Sequence, residues 1–441
     1  MTAHVNSIIN ARWVIPVSDK YRDEVLNDHS IVIHHGHIID ILPTADAILK
    51  YTADEQLELT DQALIPGLIN AHTHACMSLF RGIADDLPLM DWLNNHIWPA
   101  EGRWVSEEFV RDGSKLAIAE MIKTGTTCFN DMYFFPEITA QVAAAAGMRA
   151  TVGMIVIDFP SAWASDHNEY FEKGLKLHDE FKNHPLINTA FAPHAPYSVA
   201  DEPMQRVQML AHELEAPIHI HVHETQDEIN MSEEQYGKRP LQRLKELGLL
   251  SPSLVAVHMT QLQDEEIQQV ADNGAHVVHC PQSNLKLASG MCPVNKLIKA
   301  GVNVALGTDS AASNNNLDML SELQTAALLS KGVAGNATAL PAIEALKTAT
   351  INGAKALGIA DKTGSLDIGK AADITAINLN KLGSMPVYNA VSQIVYSSQS
   401  SDVSHVWING RQVLKNGHLT TLDEADILSQ AADWHQRIVS E

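Results

Sequence analysis

Four stretches of this 441-residue chain place histidines or carboxylates where an apolar run ends. In the first, Ala63, Leu64 and Ile65 lead through Pro66-Gly67 to Leu68-Ile69-Asn70-Ala71-His72-Thr73-His74. Side chains two apart on a strand point to one face, so His72 and His74 can both reach one cation. Alone, the pair is equally compatible with two polar histidines at a strand end. The second stretch, Pro217-Ile218-His219-Ile220-His221-Val222-His223-Glu224, alternates three histidines along one strand face. Three buried imidazoles would each need a hydrogen-bond partner, which makes a purely structural reading costly. One ligand suffices here; with His221 in that role, Glu224 in the loop beyond is left free to move protons. Third, Val255-Ala256-Val257-His258 ends a strand on a histidine that alone reads as structural. Fourth, Val302 to Ser310 places Asp309 at a strand end, where a helix N-cap is the ordinary explanation. Five such residues in chain order are harder to dismiss than any one of them.

The elements that must position these groups alternate. After residue 66, strand candidates alternate with longer helix-like segments: a helix over Glu107–Lys123, a strand over Ala150–Ile157, a helix over Glu169–Lys182, then strands at Asn188–Ala192, Pro217–His223, Leu254–His258, His276–His279 and Asn303–Gly307. About eight β/α units predict a (β/α)8 TIM-type barrel, in which functional residues sit at strand C-termini. No G-x-G-x-x-G follows a first strand, which disfavours a doubly wound open sheet. Short strands before residue 65 and after residue 365, including Ile374–Ile377, Val391–Tyr396 and Val403–Gln412, predict a small composite β-sandwich domain built from both chain ends. The expected division is 1–65 and 365–420 for that domain, 66–364 for the barrel, and a C-terminal helix over 421–441.

Fifty-three acidic against thirty basic residues give a formal charge of −23, which argues against nucleic acid or an anionic membrane as partner. Four cysteines without C-x-x-C spacing fit a reducing compartment. The start Met1-Thr2-Ala3-His4-Val5-Asn6 lacks a signal-peptide pattern, and no apolar run approaches the ~18 residues of a membrane span. A soluble cytoplasmic protein is expected.

From P-G-L-I-N-A-H-T-H through H-x-x-E to G-T-D-S, over nearly the whole chain, the sequence resembles the amidohydrolase superfamily in its mononuclear deaminase branch. The resemblance implies His72, His74, His221 and Asp309 as ligands of one divalent ion, zinc or, in occasional relatives, iron. Three neutral imidazoles and a carboxylate leave such an ion cationic, so that water bound to it is acidified toward pH ~7. Glu224 is then the proton carrier between water and a ring nitrogen. The resemblance further implies that His258 steers the nucleophile and that Asp309 takes the proton later passed to ammonia. The strand Asn188–Ala192 lacks the lysine that bridges two metals in binuclear relatives. His178-Asp179-Glu180 fits H-x-E, but without P-C-x-x-C it reads as a solvated helix face.

Asp86 to Leu93, Trp98-Pro99-Ala100-Glu101, Ala192 to Ser198 and His279 to Leu287 are similar to the 5′-methylthioadenosine/S-adenosylhomocysteine deaminase family, which is related to triazine hydrolases. This closer resemblance implies that Trp92 packs near a nucleoside, Glu101 binds ribose hydroxyls and His194 hydrogen-bonds the purine. Relatives that favour S-adenosylhomocysteine carry arginines after the third barrel strand. Here that region, Arg149 to Trp163, is apolar and aromatic with acids nearby, apart from Arg149, which begins the strand. The expectation is therefore methylthioadenosine to methylthioinosine plus ammonia, with S-adenosylhomocysteine and adenosine as weaker substrates. The partners expected are a small nucleoside and other copies of the chain, as a dimer or tetramer. An s-triazine chlorohydrolase or aminohydrolase and a guanine-type base deaminase are the competing enzymes. A non-catalytic binding protein on the same barrel is the competing class.

Overall fold

The computed structural model describes residues 2–440; Met1 and Glu441, the outermost residues of the first and last predicted segments, lie outside the described residues. Near the N-terminus run β1 (Ala3–Val14), β2 (Leu26–His34), β3 (His37–Pro43) and β4 (Tyr51–Pro66). The barrel follows as β5 (Leu68–Thr73), β6 (Thr126–Asp131), β7 (Arg149–Val156), β8 (Ile187–Pro193), β9 (Ile218–Val222), β10 (Leu254–His258), β11 (His276–His279) and β12 (Asn303–Leu306). These eight strands are parallel and ordered sequentially around the barrel, with helices between them. They read as continuous apolar runs because both faces are covered: β5, β6, β7, β9 and β10 are buried at every residue. Near the C-terminus, β13 (Ile374–Asn378), β14 (Val403–Ile408), β15 (Arg411–Lys415) and β16 (His418–Leu419) join the N-terminal strands in a continuous eight-stranded sheet. In it β1 and β4 pair in parallel and β4 and β13 antiparallel.

The run from Ala63 to Thr73 divides between two strands. Residues up to Pro66 belong to the composite sheet, and those from Leu68 to the barrel. Gly67 makes the crossing, where a Cβ would stand 2.0 Å from the Thr127 hydroxyl. The same junction is tied from the other end of the chain, because the Gly67 N–H donates to the Asp373 carbonyl at 3.0 Å. The Asp373 side chain in turn accepts from Arg149 at 2.8 and 3.2 Å, an ion pair buried at both partners.

Three expectations are corrected. Val391–Tyr396 lies in a helix, Ala390–Tyr396: Val391, Ile394 and Val395 have helical spacing and Asn389 caps the Ser392 amide. Val403–Gln412 is a hairpin, since Asn409 and Gly410 both take positive φ, as a two-residue turn requires. The N-terminal strands are longer than short runs suggest; β4 spans 16 residues, its first half alternating between exposed and half-buried positions. Apolar spacing did not single out the helices Gln226–Tyr236 and Met319–Ala334; the first packs on the helix Pro240–Glu246 and the second against β5 and β12. The C-terminal helix Glu424–Val439 buries Trp434 against Phe109, and the Trp434 indole donates to Asp112 at 3.0 Å. Among the described residues, no helix is long and apolar enough to cross a membrane.

Candidate active site

The ends of β5, β9, β10 and β12 bring the residues of the four stretches together. Nε2 of His221 lies 3.2 Å from Nε2 of His72 and 3.3 Å from Nε2 of His74. Oδ1 of Asp309 lies 3.2 Å from Nε2 of His72 and 3.3 Å from Nε2 of His74. Ligand atoms about 2.0–2.1 Å from one zinc ion stand about 3–4 Å apart, and these four distances fall in that range. All four ligand atoms lie within 4.8 Å of one another.

Each imidazole is turned by a contact at its other nitrogen, as ligating histidines are. His74 Nδ1 meets the Met132 carbonyl at 2.5 Å, His221 Nδ1 the His194 carbonyl at 2.7 Å, and His72 Nδ1 meets Nε2 of His219 at 2.8 Å. Asp309 is oriented by two hydroxyls on Oδ2, Ser283 at 2.7 Å and Ser313 at 2.8 Å, which leaves Oδ1 facing the imidazoles. Burial lowers His72 to about 4 and His221 well below its usual range, favouring the neutral form a ligand needs. His74 is the exception. Burial opposes its charge, but the Asp309 carboxylate outweighs that and raises it to about 9. A bound cation would supply the positive charge that Asp309 otherwise draws onto this ring. The donor set, its spacing and its turned rings fit a single divalent ion.

Glu224 and His258 stand beside this cluster. His258 Nε2 is 3.7 Å from Glu224 Oε2, and its Nδ1 meets Asn284 Oδ1 at 2.8 Å. Burial raises the Glu224 carboxyl, the His258 charge lowers it and Asp309 raises it further, as suits a group that takes and gives protons. His258 (φ 77°) and Asp309 (φ 62°) sit in the left-handed region, a conformation costing about 1–3 kcal/mol that tends to collect at functional sites.

A partly open cavity reaches from these groups toward the surface. The segment after His74 covers it, contributing Met77, Leu89, Trp92, Leu93, Ile97, Trp98 and Glu101 to the lining. Trp92 is buried, with its indole N–H on the Ala84 carbonyl at 3.2 Å. Glu101 accepts from the Tyr133 hydroxyl at 2.6 Å; burial lifts its carboxyl to about 7 against that bond and the charge of His74. His194, whose Nδ1 lies 2.9 Å from the Ser198 hydroxyl, is lowered to about 3 by burial and the neighbouring imidazoles. Ile155 near the end of β7, with Ile157 and Phe159 just past it, adds apolar lining, and no lysine or arginine is among the lining residues. Arg149 is at the other end of β7, held by Asp373.

Every sequence-predicted site residue thus lines one cavity or lies against it. Of the three alternating histidines, however, only His219 and His221 lie on β9 and face the barrel interior. His223 takes φ 55° and turns away, where the Leu241 N–H donates to its Nε2 at 3.0 Å. Tyr133 and Ser313 carried no reading in the sequence, and Tyr197, Ser283 and Asn284 stood in family-like stretches without an assigned role. The aromatic run Tyr133-Phe134-Phe135 just past β6 and the paired polar residues of Ser283-Asn284 just past β11 were the available signals.

An imidazole–carboxylate metal site at the C-terminal ends of barrel strands defines a metal-dependent barrel hydrolase. The chain belongs to the amidohydrolase family, whose model matches residues 63–413. It is 52% identical to the 5-methylthioadenosine/S-adenosylhomocysteine deaminase of Teredinibacter turnerae, over 99% of this chain and 98% of that one. The crystal structure of an adenosine deaminase from Xanthomonas campestris with bound zinc is similar at 48% identity and a TM-score of 0.98, covering all of both chains. Atrazine chlorohydrolase of Arthrobacter aurescens shares the fold, with a TM-score of 0.89 at 23% identity over 97% of this chain and 99% of that one.

Proposed function

We propose that this chain hydrolytically deaminates adenosine-type nucleosides, with 5′-methylthioadenosine preferred over S-adenosylhomocysteine and adenosine. The observation that carries the reading is the cavity itself. Its lining joins the ligand cluster, Glu224 and His258 to the carboxylate of Glu101 and to the apolar side chains of Ile155, Ile157 and Phe159, with no lysine or arginine. The deaminase names of relatives near half identity support the activity.

His72, His74, His221 and Asp309 would hold one divalent ion, zinc by analogy with the Xanthomonas enzyme. When bound, the ion supplies Lewis acidity that makes hydroxide available near neutral pH. Glu224 takes one proton from the attacking water and delivers it to purine N1, so that C6 accepts the oxygen as the ring nitrogen becomes protonated. His258, its ring fixed by Asn284, polarises the same water. The second water proton passes through Asp309 to the departing amino group, so that the C6–N bond breaks and ammonia leaves. Because Asp309 Oδ2 already accepts two hydroxyls, that transfer needs Ser283 or Ser313 to turn. His194 orients the purine, Trp92 packs on the nucleoside, and Glu101 accepts from the vicinal ribose hydroxyls, selecting nucleosides over free bases. The apolar wall of Ile157 and Phe159 suits a methylthio group, whereas a homocysteine zwitterion would lose water there without gaining a counter-ion.

The test is an ultraviolet assay of the zinc-loaded protein on methylthioadenosine, adenosine, S-adenosylhomocysteine, guanine and a chlorotriazine. Conversion of the adenine chromophore to the hypoxanthine type, fastest with methylthioadenosine, is expected. Turnover confined to guanine or the triazine overturns the reading.

A further inference from the structure

The chemistry above leaves one buried carboxyl beside the site unused. Glu228, in the first turn of the helix Gln226–Tyr236, is 2% exposed. Its two oxygens accept consecutive backbone amides, that of His223 at 2.9 Å and that of Glu224 at 2.7 Å. Two successive N–H groups converge on one carboxyl only if the chain bends between them, and His223 takes φ 55° at that point.

The local sequence predicts something else. Thr225-Gln226-Asp227-Glu228 is a capping-box pattern, in which the glutamate reaches back to the amide of the capping threonine. Thr225 does its half, accepting from the Glu228 amide at 3.3 Å. Glu228 passes over the Thr225 amide and takes the two before it. A residue needed only to start the helix has no reason to do so. Burial is also unfavourable for this group: it pushes the carboxyl up, while the two amides favour the ionised form in which both oxygens accept. A glutamine would avoid that cost and could still cap the helix, but it offers one acceptor, not two.

The bend ends at Glu224. With its N–H held by Glu228 and its carbonyl accepting from the Thr260 hydroxyl at 2.6 Å, the Glu224 backbone is fixed on both sides. Its side chain is held more loosely, with Ser289 at 3.4 Å and His258 at 3.7 Å. We propose that Glu228 is a positioning residue of the reaction, locking the left-handed bend after β9 so that the Glu224 carboxyl points at the substrate. The role rests on Glu224 being the proton carrier.

Glu228→Gln and Glu228→Asp test it beside the wild type. Hydrogen exchange is followed at residues 223 and 224 without substrate, together with metal content and with kcat and KM for methylthioadenosine. Glu228→Gln is expected to speed exchange at those two amides by about tenfold or more while the rest of β9 stays protected. It should lower kcat about 10- to 100-fold, with KM within about twofold and full metal content. Glu228→Asp, which keeps two acceptors on a shorter arm, should recover part of kcat. Unchanged exchange at the two amides overturns the clamp. Faster exchange with unchanged kcat, or a kcat loss matched by metal loss, overturns the positioning role. A wild type inactive on every nucleoside removes the reading of Glu224 and this proposal with it, whereas an active wild type with an equally active Glu228→Gln removes this proposal alone.

Discussion

The amide of Asp309 donates to the carbonyl of His72 at 3.0 Å, joining the end of the last barrel strand to the first at two metal ligands. The ligand set therefore lies across the seam where the barrel closes. Gly307 permits the approach: a Cβ there would stand 2.8 Å from both the amide nitrogen and the Cβ of His72. Gly307→Ala should force the seam apart, costing about 1–3 kcal/mol of stability and much of the metal affinity. Metal content after dialysis against a graded chelator, alongside a thermal melt, checks both effects.

Glu224→Gln keeps the shape of the side chain but removes its capacity to take a proton. The variant should retain its metal and its KM while kcat falls by about 10²- to 10⁴-fold. Steady-state kinetics with metal analysis on the same sample are sufficient, and turnover near the wild-type rate would reassign the proton carrier.

Glu101 should give substrate binding a pH dependence of its own. Burial raises its carboxyl to about 7, so it gains a proton as the pH falls through that region. A neutral carboxyl is the weaker acceptor for ribose hydroxyls, so KM should rise on the acid side with kcat less affected. Glu101→Gln should raise KM at every pH and flatten that limb. A KM profile unchanged by the substitution would detach Glu101 from the ribose.

Arg149 and Asp373 form the buried tie between the barrel and the composite sheet. Arg149→Met strands the Asp373 charge and should cost about 3–5 kcal/mol. Adding Asp373→Asn should recover part of that loss, which denaturant midpoints of the single and double variants would reveal.

Much of this was legible in the sequence for identifiable reasons. The strands of the barrel are uniform apolar runs, so His72, His74, His221, His258 and Asp309 stood out as polar groups where such runs stop. The four-ligand set itself came from the resemblance to amidohydrolases, since strand ends alone left each of these residues with an ordinary structural reading. The less legible parts depend on backbone turns. His223 shares the two-residue period of His219 and His221, yet a positive φ takes it off the face. Glu228 carries the signature of a helix cap and bonds elsewhere. Val391–Tyr396 is rich in β-branched and aromatic residues, but its Asn389 cap and 3.6-residue spacing make it helical. Ser283 and Asn284 gave no periodic signal, because their role is to reach side chains on other strands, Asp309 and His258.

The proposed activity is deamination of a nucleoside with a neutral 5′ substituent, in a cavity whose lining includes Ile155, Ile157 and Phe159 and no lysine or arginine. It is tested most directly by kcat/KM for methylthioadenosine against S-adenosylhomocysteine, measured side by side on the zinc-loaded protein. The structure predicts release of ammonia from both, with methylthioadenosine clearly favoured. A clear preference for the homocysteine compound would contradict the assignment of the apolar lining, and ammonia from neither would contradict the assignment of the site.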